Sequence, residues 1–98
     1  MKESVFQHSV IEEIKKEFPT AIVMKTDSSY IQGIPDLLIL YNGKWAALEC
    51  KNWRRADRQP NQEYYVNLLD SMSFARFIFP ENKKEVLCEL FAALRNKR

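Results

Sequence analysis

The segment at residues 35–51, PDLLILYNGKWAALECK, decides the fold of this 98-residue chain. At its centre, Asn42-Gly43 is typical of the two-residue turn that joins antiparallel strands. The apolar runs on either side predict neighbouring strands at residues 35–41 and 44–50, and the first is apolar enough to be buried on both faces. Positions 36 and 49 lie equally far from the turn, so a tight hairpin places Asp36 beside Glu49.

Outside the hairpin, apolar periodicity predicts three helices and two further strands. The helices are expected at residues 3–18, 61–71 and 81–95, and the strands at 21–25 and 74–79. We expect the second helix to turn Tyr65, Leu68, Leu69 and Met72 inward, and the third to turn Val86, Leu87, Leu90, Phe91 and Leu94 inward.

The element order αβββαβα predicts an α/β fold with a mixed four-stranded sheet flanked by helices. Three consecutive strands can form a meander, and a helical crossover then places the last strand parallel to its partner. A chain of 98 residues fits a single domain, residues 1–98. Its small core makes dimerisation a plausible source of extra stability.

Composition indicates an ordinary globular protein, with 46% hydrophobic and 29% charged residues. The net charge of +2 is too small to establish nucleic-acid binding. Local basic clusters suit phosphate contacts, although a solvated surface explains each of them equally well. One cluster comprises Lys51, Arg54, Arg55 and Arg58, and the other is the tail Arg95, Lys97 and Arg98.

Two further features concern the cell compartment. Cys50 and Cys88 lack the spacing of paired metal ligands, and both are expected to be small buried hydrophobes. We found no apolar signal segment and no apolar run of membrane-spanning length. The sequence therefore predicts a cytoplasmic protein without membrane association.

Glu49 and Lys51 are charged residues at the end of an otherwise apolar strand. Their spacing of two places both side chains on one face, and burying charges is costly unless they are paired or bind a metal. The neighbouring carboxylate of Asp36 repels that of Glu49, and a divalent cation would relieve the repulsion. Hard oxygen ligands favour Mg²⁺, with Mn²⁺ as a substitute. Alternatively, Asp36 caps a turn and Glu49 and Lys51 form a simple edge-strand ion pair.

Gly33-Ile34-Pro35-Asp36 followed by Glu49-Cys50-Lys51 resembles the signature of the PD-(D/E)XK nucleases. The match is closer to the VRR-NUC branch, which the chain also resembles in Glu3 and Gln7 of the first helix and in Gln62 of the second. The resemblance covers about residues 3–80 and implies a restriction-endonuclease-like core.

This resemblance implies a role for each motif residue. Asp36, Glu49 and the backbone carbonyl of Cys50 would bind the metal, and Lys51 would be the catalytic lysine. Glu3 would contact a metal-bound water or a second ion, and Gln62 would support the lysine or the scissile phosphate. The loop after Lys51 departs from the family in being rich in arginine, which leaves Gln59 as an alternative to Gln62.

Arg54, Arg55 and Arg58 lie in the loop that leaves the active strand, where they are expected to contact a phosphate backbone. Tyr30 and Lys25 are further candidates for contact with nucleic acid.

The implied function is a Mg²⁺-dependent endonuclease that acts on DNA as a homodimer, without an organic cofactor. Selectivity for branched structures such as four-way junctions is expected, while a flap or single-strand nuclease is equally compatible. The resemblance suggests a bacterial or phage origin. The alternatives are a binding module that has a nuclease fold but no activity, and a small toxin or regulator that acts by contact alone.

Overall fold

The computed structural model describes residues 1–96, which form three helices and four strands. In chain order they are α1 (Glu3–Glu17), β1 (Ile22–Lys25), β2 (Leu37–Tyr41), β3 (Lys44–Cys50), α2 (Pro60–Met72), β4 (Ala75–Ile78) and α3 (Lys83–Arg95). The predicted element order and the α/β class are confirmed. Of the predicted basic tail, Lys97 and Arg98 lie outside the described residues.

The hairpin forms in the predicted register. β2 and β3 are antiparallel, with Leu37 opposite Leu48 and Tyr41 opposite Lys44. The turn residues Asn42 and Gly43 have φ angles of 53° and 75°. Both angles lie in the left-handed region, as a type I′ turn requires, and Asn and Gly are the residues that tolerate it best. One further step along this register brings Asp36, just before β2, across from Glu49.

The four strands form one mixed sheet in the order β1-β2-β3-β4. β1 is antiparallel to β2, whereas β4 is parallel to β3 and pairs Ile78 with Cys50. The helical crossover through α2 produces this parallel pair, as predicted.

The main core lies on the face of the sheet that α1 and α3 cover. Phe6, Val10 and Ile14 of α1 are buried with Leu87 and Leu90 of α3. They pack on the sheet side chains Leu37, Ile39, Ala46, Leu48, Cys50 and Ile78. Burial of each large apolar side chain contributes about 1.5–3 kcal/mol, so this face supplies most of the stability. Within residues 1–96, no helix combines the length and apolar character needed to cross a bilayer.

α2 packs on the opposite face through a small cluster of Ala47, Val66 and Ala75. Its contacts are mainly with β3 and β4. Two predictions of burial are wrong here. Met72 is 64% exposed because it lies on the flank of α2 and not on the side that faces the sheet. Cys88 is exposed because it projects outward from α3, although Leu87 next to it is buried.

Candidate active site

Charged side chains meet where β2 begins and β3 ends. Glu49 and Lys51 are only 4% and 7% exposed, and Asp36 is half-buried. The Lys51 Nζ atom lies 3.7 Å from Glu49 Oε2. The hairpin therefore brings together two carboxyl groups and one ammonium, as the sequence predicts.

Two hydrogen bonds hold the Asp36 carboxyl group. The backbone N–H of Cys50 donates to Oδ1 at 3.0 Å, across the hairpin. The Gln7 amide Nε2 donates to Oδ2 at 3.2 Å. α1 thus orients a carboxylate that lies 29 residues further along the chain. The resemblance singled out Gln7 of the first helix, but it gave no reason to pair its amide with Asp36.

Gln62, in the first turn of α2, joins the ammonium to the second carboxylate. Lys51 Nζ donates to Gln62 Oε1 at 2.8 Å, and Gln62 Nε2 donates to Glu49 Oε2 at 3.2 Å. The backbone N–H of Gln59 also donates to Gln62 Oε1, at 3.0 Å, as part of the helix cap. Of the two glutamines considered, Gln62 is therefore the one whose side chain contacts Lys51.

Burial makes it costly to ionise both carboxyl groups. Burial raises the pKa of Asp36 from 3.8 to about 6, against the lowering effect of its hydrogen bonds from Cys50 and Gln7. Burial, followed by repulsion from Asp36, raises the pKa of Glu49 from 4.5 to about 8, although Lys51 favours its charged form. Without a cation, the site favours retention of a proton at neutral pH.

The loop between β1 and β2 packs against the first turn of α2, beside Gln62. Gly33 is buried with a φ angle of +92°, and a Cβ added there would lie 2.4 Å from Asn61 Cβ. The Asn61 Nδ2 atom donates to the Gln32 carbonyl oxygen at 3.4 Å. Because Asn61 precedes Gln62, this close contact fixes the helix turn that carries the amide to Lys51.

The other predicted site residues lie further out. Glu3 is exposed in the first turn of α1, and its charge helps to raise the pKa values of Asp36 and Glu49. It is therefore within electrostatic reach of the site. Tyr30 is 85% exposed in the loop before Asp36, and Lys25 is exposed at the end of β1.

The three arginines in the loop after Lys51 differ in the contacts that their side chains make. Arg54 and Arg55 are exposed, and the backbone N–H of Arg54 donates to Glu81 Oε2 at 3.3 Å. The Arg58 guanidinium lies 3.9 Å from the ring centre of Phe77 and 3.7 Å from Glu63 Oε1. Arg54 and Arg55 are thus better placed for phosphate contact than Arg58.

The possible metal ligands are few. In the part of the chain that the structure describes, no group of three or more His, Cys, Asp or Glu side chains could hold a metal ion. Asp36 and Glu49 provide two carboxyl groups, and the backbone carbonyl of Cys50 is the third predicted donor. Magnesium sites commonly use one or two carboxylates and complete their shell with water or substrate phosphate.

Comparison of the chain with models of protein families, with curated proteins and with solved structures found no match. Membership in the PD-(D/E)XK nucleases therefore stays a prediction from the motif residues.

The first prediction tests the contact of Gly33 with α2. We expect Gly33→Ala to destabilise the protein by at least about 2 kcal/mol, because the new Cβ meets Asn61 in addition to the cost of a positive φ angle. Gly43→Ala is the matched control, since Gly43 also has a positive φ angle but, apart from its chain neighbours, no atom of residues 1–96 lies within 4 Å of an added Cβ. Urea denaturation measures both variants, and equal losses would contradict the contact.

The second prediction concerns pH. The folded-state pKa values of Asp36 and Glu49 are raised, so the folded protein binds their protons more tightly than the unfolded chain. This stabilisation is present below about pH 4 and is lost as pH rises through about 6 and about 8. We expect the free energy of unfolding in EDTA to fall over this range, and less steeply in Asp36→Asn.

The measurement is urea denaturation in EDTA at a series of pH values. His8→Ala, which removes the exposed pair that His8 forms with Glu12, is the control outside the site. A free energy of unfolding that is constant or rises with pH would contradict the prediction.

Proposed function

We propose that this protein is a metal-dependent nuclease that hydrolyses DNA phosphodiester bonds, with the restriction-endonuclease-like core of the VRR-NUC branch of PD-(D/E)XK enzymes. One observation carries the proposal: the buried Lys51 ammonium lies beside Glu49 and is held by the Gln62 amide. A buried ammonium beside a buried carboxyl group is difficult to explain as a device for stability, because desolvation offsets much of the attraction.

The donor chemistry fits Mg²⁺. Asp36 and Glu49 are oxygen donors whose pKa values are raised by burial and, for Glu49, by repulsion from Asp36, and a divalent cation would offset both effects. A bound Mg²⁺ would supply charge neutralisation at the scissile phosphate and lower the pKa of an attacking water. The Cys50 N–H and Gln7 amide leave Asp36 oriented to hold such an ion.

Lys51 would act on the phosphate itself. Its ammonium can stabilise the negative charge that develops on the phosphate oxygens during attack. Gln62 accepts one Lys51 hydrogen bond and leaves the other ammonium protons available to substrate or water. The hydrogen bond to Gln62 would restrict the conformations of the long lysine side chain before substrate binds. Less conformational entropy would then be lost when the ammonium contacts the phosphate.

DNA is the proposed partner, and a homodimer is the proposed working form. Arg54 and Arg55 are exposed in the loop that leaves Lys51, where a phosphate backbone approaching the site would pass. Phosphate contacts give affinity without reading sequence. This arrangement favours recognition of DNA structure, such as branches or junctions, over a particular base sequence.

Cleavage provides the third prediction. In Mg²⁺ or Mn²⁺ we expect cutting of at least one labelled DNA in a panel of duplex, flap, fork, four-way junction and single strand, and no cutting in EDTA. Lys51→Ala and Asp36→Asn should each lower the rate by about 100-fold or more. Lys16→Ala is the control, because Lys16 is exposed in the last turn of α1.

Two outcomes would count against the nuclease. If Lys51→Ala cuts as fast as the wild type, the activity does not come from this site. If every DNA binds but none is cut with either metal, the protein is a binding module with a nuclease fold.

The fourth prediction concerns the arginines. We expect Arg54→Ala with Arg55→Ala to weaken DNA binding and to reduce the slope of log affinity against log salt by about 2, one for each lost phosphate contact. Arg58→Ala should change the slope less, because its guanidinium is engaged by Phe77 and Glu63. Fluorescence anisotropy over a salt series measures the slopes, and an unchanged slope in the double variant would refute the contact.

A further inference from the structure

The outer face of β1 and β2 is apolar and largely uncovered. Ile22 lies opposite Leu40 and Met24 opposite Leu38, and partners of this kind project from the same face. This is the face on which α2 packs, but α2 contacts mainly β3 and β4. As a result, Ile22 and Met24 are 56% and 46% exposed.

One flank of α2 borders this uncovered face. Asn61 contacts Gly33 of the β1–β2 loop, so the flank that carries Asn61 faces β2. Helical spacing places Leu68 and Met72 on the same flank. Met72 is 64% exposed and Leu68 is half-buried. We call the floor of Ile22, Met24, Leu38 and Leu40, with the wall of Leu68 and Met72, the apolar corner.

The dimensions of the apolar corner match one helix. Four strands spaced about 4.8 Å apart make a sheet about 19 Å wide, while a helix with its side chains is about 10 Å across. α2 therefore covers about half of the outer face and leaves room for one more helix. Within residues 1–96, α1 and α3 both lie on the opposite face.

We propose that the apolar corner is the interface between two copies of this chain, related by a two-fold axis, with α2 of each copy lying over β1 and β2 of the other. The inference locates the interface of the proposed homodimer and does not depend on the proposed cleavage. A two-fold interface must be self-complementary. In this chain the uncovered face of β1 and β2 has room for one helix, and α2 beside it has an apolar flank that is only partly buried. The α2 helix of one copy can therefore fill the space on the other copy.

Charge favours a second copy over nucleic acid. The six residues of the apolar corner are uncharged, whereas surfaces that bind nucleic acid are strongly positive. The charged residues of α2, Glu63 and Asp70, lie on its other flank, where they pair with Arg58 and Arg76 of the same chain. Two identical uncharged surfaces can meet without repulsion.

The floor of the apolar corner is too small to form a stable interface by itself. The uncovered floor of β1 and β2 is about 10 Å wide and about 17 Å long, which gives about 170 Å², well below the about 800 Å² per partner that a stable interface buries. The partner's sheet would also cross the outward side of α2, where Tyr64 is 61% exposed. A dimer would therefore bury this outward side and the wall of Leu68 and Met72 together with the floor.

Sedimentation velocity over a range of protein concentrations tests the interface. We expect the wild type to form a dimer, and Ile22→Lys and Met72→Lys each to raise its dissociation constant by about tenfold or more, because symmetry buries the new charge twice. Both positions are mostly exposed in the single chain, so the fold should tolerate the changes. Val5→Lys is the matched control, since Val5 is also 56% exposed but lies on α1.

The possible results test the existence of the dimer and the location of its interface separately. A wild type that is monomeric at every concentration overturns the proposed dimer and the interface together. A dimer that survives Ile22→Lys and Met72→Lys overturns the interface alone. A dimer weakened equally by Val5→Lys also overturns it, because the effect would then follow from added charge and not from position. Cleavage of DNA, measured separately, bears on the nuclease only.

Discussion

The burial of two carboxyl groups beside one ammonium is the constraint on which the rest of this structure depends. Such a cluster is costly unless each polar atom has a partner, and the neighbouring elements supply those partners. The hairpin register provides the Cys50 N–H for Asp36, and α2 provides the amide of Gln62 for both Glu49 and Lys51. Among the described residues, no fully buried side-chain nitrogen or oxygen lacks a hydrogen-bond partner.

Two helices from distant parts of the chain contribute one amide each to the site. Gln7 of α1 orients Asp36, and Gln62 of α2 orients Lys51. An amide can donate to a carboxylate or accept from an ammonium without adding net charge. The two amides therefore fix the geometry of the cluster from both faces of the sheet, and the pKa of Asp36 stays raised by burial although the Gln7 hydrogen bond lowers it.

The sequence predicted the element order, the hairpin register and the meeting of Asp36, Glu49 and Lys51, because these follow from local rules of periodicity and turn geometry. It could not predict that Gln7 contacts Asp36, since that bond depends on how α1 crosses the sheet. Met72 and Cys88 were wrongly expected to be buried for a related reason. Apolar spacing identifies a stripe on a helix, but only the packed structure shows how much of that stripe the sheet covers.

The position of α2 links the site to the exposed apolar surface. Gln62 can reach Lys51 only if the first turn of α2 lies over the end of β3, and the contact of Asn61 with Gly33 holds it there. One helix is too narrow to cover a four-stranded sheet, so a helix that serves β3 must leave β1 and β2 bare. The arrangement that orients the ammonium thus creates the apolar face that a second copy of the chain would cover.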